Sequence, residues 1–108
     1  MAENAQTRTN SLIADLWRKN QPQILDRIAL LEAAAAAAQS GTLNEAERTE
    51  AESMSHKLAG SLGMFGYPTG TTLARALEDE FGLDSPDPAV LSTLTRNLRT
   101  TLFPPAES

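Results

Sequence analysis

The sequence predicts an all-α fold, an antiparallel four-helix bundle with a short additional N-terminal helix. Apolar residues recur every three or four positions along most of the chain, and proline and glycine fall between those runs. No useful length shows the period-two alternation of a strand. A chain of 108 residues suits one core, so residues 1–108 are expected to form a single domain with residues 1–9 frayed.

Order is expected to begin near Asn10. Leu12, Ile13, Leu16 and Trp17 make the apolar side of the short first helix, which Gln21-Pro22 should interrupt because proline is tolerated in a first turn and not mid-helix. The second helix starts there, with Ile24, Ile28, Leu31, Ala35 and Ala38 as its stripe, and Ser40-Gly41 stops it. Its run from Ala33 to Ala38 has high helix propensity and little side-chain entropy to lose. Asn44 is placed to cap the third helix, while Glu45 and Glu47 lie in a first turn that favours negative charge. Gly66-Tyr67-Pro68 reads as a tight connection into a fourth helix striped by Leu73, Leu77 and Phe81 and stopped by Gly82. Arg75, Glu78, Asp79 and Glu80 fall mostly outside that stripe. Asp84-Ser85-Pro86-Asp87-Pro88 supplies caps and first-turn prolines for the fifth and last helix, whose Leu91, Leu94, Leu98 and Leu102 repeat at three and four residues before Pro104-Pro105 ends it.

Bulk composition narrows the function. Nine basic against fourteen acidic residues give a net charge of −5, which disfavours binding to nucleic acid or to an anionic membrane surface. With no cysteine there is no disulfide framework, thiolate nucleophile or cysteine-based zinc site. No leader-like start and no membrane-length apolar run is present, so a cytoplasmic protein with protein partners is expected.

The chain's one histidine, His56, lies on the third helix. Helical geometry puts Thr49, Glu52, Ser53, Ala59, Gly60 and Gly63 within about 60° of it, and Ala51, Met54, Leu58, Leu62 and Phe65 on the opposite side. The imidazole should therefore face outward among small and polar side chains. Gly60 and Gly63 each cost about 1 kcal/mol relative to alanine in a helix interior. Either a neighbouring helix needs the clearance, or a partner's active site must come within bonding distance of the ring.

Few chemistries fit one such histidine. Ser61 lies about 140° away around the helix, and nothing nearby suggests an oxyanion hole, so a hydrolytic triad is disfavoured. His56 with Glu52 is too thin a ligand set for a metal site, so no metal is expected. Without a glycine-rich phosphate loop carrying a lysine, ATP binding is not expected either. An enzyme with its pocket inside the bundle would need polar inward stripes, and these stripes are Leu, Ile, Ala, Met and Phe.

The segment His56-Lys57-Leu58-Ala59-Gly60-Ser61, followed by Gly63, Phe65 and Gly66, resembles the signature of histidine-containing phosphotransfer (HPt) domains. Length and helix order agree with it. The resemblance implies that His56 is a phosphoacceptor, relaying a phosphoryl group between aspartates on receiver domains of response regulators or hybrid histidine kinases. It implies a carrier without ATP-dependent kinase activity of its own, binding no cofactor, with Mg²⁺ supplied by the receiver. Gly60 becomes the small residue that admits the receiver, and Glu52, Ala59 and Gly63 join it in the docking surface. Many family members carry a lysine three residues after the histidine, where this chain has Ala59. Lys57 is the expected substitute, its long stem bringing the ammonium toward the phosphoryl oxygens, and Ser53 could add a hydrogen bond. A monomer is expected. The alternative is a helical adaptor that binds response-regulator receivers without accepting phosphate.

Overall fold

The computed structural model describes residues 5–105, which form four helices. These are α1 (Ala5–Gln39), α2 (Glu45–Met64), α3 (Pro68–Phe81) and α4 (Pro88–Leu102). Contacts across each pair run in opposite chain directions. Leu30 and Ala34 of α1 lie near Glu50 and Glu47 of α2 while Arg27 reaches Ser61, and Gly63 approaches Thr71 while Glu52 approaches Gly82. The helices are thus an antiparallel set packed around one core. Ile24, Ile28, Leu31, Leu58, Leu62, Leu77, Phe81, Leu91 and Leu98 are fully buried there. Burying each such side chain contributes about 1.5–3 kcal/mol.

The separate N-terminal helix is not found, because α1 runs unbroken through Pro22. Helix begins at Ala5, ahead of the expected start near Asn10, and residues 1–4 lie outside the described residues. An interior proline removes one hydrogen bond, here to the Arg18 carbonyl, and costs about 3 kcal/mol. Two features offset that cost. Pro22 and Arg18 both face solvent, so the freed carbonyl is not stranded in the core. Upstream, Trp17 packs its ring on Phe65, Tyr67 and Phe103 at centroid distances of 5.5, 4.7 and 5.6 Å, anchoring the first half of α1 to the end of the bundle. Replacing Pro22 with alanine should therefore stabilise the protein by about 1–3 kcal/mol in urea unfolding. An unchanged or lower stability would show that the ring makes contacts this account lacks.

The other boundaries follow local chemistry. Asn44 and Glu47 form a reciprocal capping box, with Glu47 N–H donating to Asn44 Oδ1 at 2.8 Å and Asn44 N–H donating to Glu47 Oε1 at 3.1 Å. Gly66 turns the chain at φ +81°, a conformation that side chains other than glycine rarely adopt. Pro68 and Pro88 open α3 and α4. Asp87 caps α4 through Ala89 N–H at 2.9 Å.

Polar ties hold the frame. Arg99 grips both carboxylate oxygens of Glu32 at 2.8 Å, joining α4 to α1, and this pairing raises the Arg99 pKa. Arg48 pairs with Glu45 and donates to the Phe81 carbonyl at 2.6 Å, fixing the start of α2 against the end of α3. Among the described residues every buried side-chain nitrogen or oxygen has a partner, so the core holds no orphaned polar group of the kind an internal active site would show.

Candidate functional site

The capping box sets the start of α2 and Gly66 sets the turn after it. Between them Ala51, Leu58 and Leu62 are buried and hold one face of α2 against the core. Ser55 is buried with them and satisfies its hydroxyl on the Ala51 carbonyl at 2.8 Å. This register turns His56 outward, with its side chain 74% exposed.

Among the described residues one partner meets the ring. His56 Nδ1 lies 2.9 Å from Glu78 Oε2, a carboxylate carried by α3 and itself 31% exposed. An ionised carboxylate only accepts, so Nδ1 is the donor in this contact, an arrangement that in the neutral ring leaves the lone pair on Nε2. The sequence reading places Glu78 only outside the apolar stripe of its helix and assigns it no role at the site. The signal was available in the turn, since His56 and Glu78 are equidistant from Tyr67 along the chain and antiparallel pairing about that residue brings them together.

His56, Ala59, Gly60, Arg75, Glu78 and Asp79 line a shallow open depression of about 330 Å³. A second depression, lined by Gly63, Tyr67, Thr71 and Arg75 among others, adjoins it through Arg75. The groove between α2 and α3 thus continues from His56 toward the α2–α3 turn.

The other expected site residues divide. Gly60 is exposed, and a Cβ built on it would meet nothing within 4 Å, so its lack of a side chain serves open space and not helix packing. Gly63 is exposed, with Thr71 Oγ1 at 3.7 Å from a built Cβ. Ala59 departs from expectation. It is only 6% exposed because α3 packs over it, so it forms the floor of the depression and not a docking side chain. Ser53 and Lys57 are exposed but line neither depression, and neither is hydrogen-bonded to His56. Glu52 turns away toward the end of α3, where its Oε2 crowds Gly82. Ser61 accepts from Arg27 at 3.3 Å, a structural tie to α1.

Among the described residues no cluster of three or more His, Cys, Asp or Glu side chains could hold a metal ion. No helix there is long and apolar enough to cross a membrane.

Fold and site define a class, an all-α module that presents one exposed imidazole on an open surface instead of enclosing it in the core. The chain belongs to the Hpt domain family, which it matches over residues 13–102. It is similar to Protein RcaC of Microchaete diplosiphon, with 32% identity over 75 residues that cover 69% of this chain and 12% of that protein. The chain therefore spans about an eighth of that relative's length. No solved structure gives a significant match. Family membership gives the chain a phosphotransfer role as a phosphoryl carrier, and Hpt domains interact with receiver domains in phosphorelays.

Proposed function

We propose that the chain relays a phosphoryl group between receiver aspartates through Nε2 of His56. The observation that carries this reading is the pairing of a carboxylate at Nδ1 with an exposed ring beside the open ground at Gly60. In uptake, the Nε2 lone pair attacks the phosphorus of an aspartyl phosphate. The Nε2–P bond forms as the bond from phosphorus to the aspartate oxygen breaks, and the electron pair leaves on the receiver's carboxylate. The ring keeps its Nδ1 proton and becomes cationic, a charge that Glu78 offsets across the 2.9 Å contact. Donation to a second receiver reverses these bond changes. Mg²⁺ belongs to the receiver and adds charge neutralisation at the transferring group. This chain contributes a fixed ring, an assigned tautomer and clearance.

The docking surface we assign is the His56 face of α2, with Gly60 and Gly63, together with the facing side of α3. A transient encounter needs only a small interface with a polar rim.

Incubation with a phosphorylated receiver should place acid-labile, base-stable phosphate on this chain. An adaptor that only binds the receiver would form a complex and carry no such label. Removing the carboxylate in Glu78→Ala should slow uptake about tenfold while the bundle stays folded, and Glu78→Gln, which keeps an acceptor without the charge, should fall between. Uptake at the wild-type rate in Glu78→Ala would show that the contact does not assist the ring.

A further inference from the structure

We propose that Arg75 is the cation that steadies the phosphoryl group on His56, in place of the expected Lys57. This proposal rests on the reading of His56 as acceptor.

The charge in the depression calls for such a group. A phosphoryl group brings close to two negative charges. The ionisable side chains that line the depression with His56 are Glu78, Asp79 and Arg75. Without Arg75 the arriving group would face two carboxylates and no fixed cation, an arrangement that like-charge repulsion disfavours.

Arg75 is also uncommitted. It sits three residues before Glu78 and four before Asp79 on α3, spacings at which helical ion pairs often form. Nevertheless, no hydrogen bond or ion pair joins its guanidinium to another described residue. Arg75 is exposed, whereas the half-buried arginines are occupied, Arg27 with Ser61, Arg48 with Glu45 and Phe81, and Arg99 with Glu32. Lys57 is exposed and unengaged, but it stands outside both depressions. Arg75 lines both, so a receiver covering the groove would shield it from water and strengthen its attraction for the group in transit. Its planar fork can also offer two donors to two phosphoryl oxygens at once.

The test separates phosphoryl binding from partner binding by using two donors, phosphoramidate and a phosphorylated receiver. With phosphoramidate the Nε2–P bond forms as the donor's P–N bond breaks and ammonia leaves, with no protein partner present. Rates of labelling and lifetimes of the phosphohistidine are compared for wild type, Arg75→Ala, Arg75→Lys and Lys57→Ala, with folding checked by circular dichroism. We expect Arg75→Ala to lower the labelling rate about tenfold with both donors, Arg75→Lys to recover part of it, and Lys57→Ala to stay within about twofold of wild type. A labelled wild type with Arg75→Ala unchanged, a defect seen only with the receiver, or a larger loss in Lys57→Ala would each overturn the assignment of Arg75. A wild type that takes no phosphoryl group at His56 would instead sink the acceptor reading itself.

Discussion

A His56→Gln chain should fold like the wild type and take no phosphoryl group from a phosphorylated receiver. The side chain is exposed, and its one polar partner among the described residues is the half-buried Glu78, so removing the ring opens no cavity. Glutamine is also a good helix former. Stability should therefore stay within about 0.5 kcal/mol of wild type, as for surface substitutions in general. The chemical loss should be complete, because the chain has no second histidine and no cysteine to take over as nucleophile. Labelling measured with isotopic phosphate, together with a thermal melt, checks both halves. Label that persists on the folded variant would remove His56 from the mechanism.

The second large effect is expected at Gly60, where two substitutions should act in opposite directions. A Cβ at this position meets nothing within 4 Å, so Gly60→Ala should stabilise the helix by up to about 1 kcal/mol. Gly60→Gln should likewise fold, but its side chain would stand in the depression beside His56, where the receiver must approach to bonding distance. Misplacing reacting atoms by about 1 Å can cost a hundredfold in rate. Transfer from the receiver should fall by about that factor in Gly60→Gln, while small-molecule labelling of His56 continues. Normal receiver transfer in Gly60→Gln would show that the clearance serves something other than docking. Stability thus cannot explain the loss, since both variants keep or improve the helix.

Much of the frame could be read from the sequence because short-range chemistry determines it. The cap at Asn44, the prolines that open α3 and α4, and the glycine turn at Gly66 each act within a few residues of themselves. The outward direction of His56 followed from helical spacing alone. What escaped depends on tertiary packing. Pro22 reads locally as a break, and only the seating of Trp17 on three aromatic rings supplied by the α2–α3 turn and the end of α4 shows why α1 continues through it. Ala59 shares the His56 side of α2 on a helical wheel, but the close approach of α3 buries it. Helical angle gives direction from the axis, and a neighbouring helix decides which directions remain open. Glu78 and Arg75 were missed for the same reason, since they belong to a different helix and meet His56 only through the antiparallel register of α2 and α3.

The proposed attacking atom is Nε2 of His56, with Nδ1 paired to Glu78. Long-range proton–nitrogen NMR of the imidazole, recorded on the phosphorylated protein, identifies the modified nitrogen directly. We expect phosphorus coupled to Nε2, a proton retained on Nδ1, and that proton's signal altered in Glu78→Ala. Phosphorus found on Nδ1, or on a residue other than His56, would contradict the account.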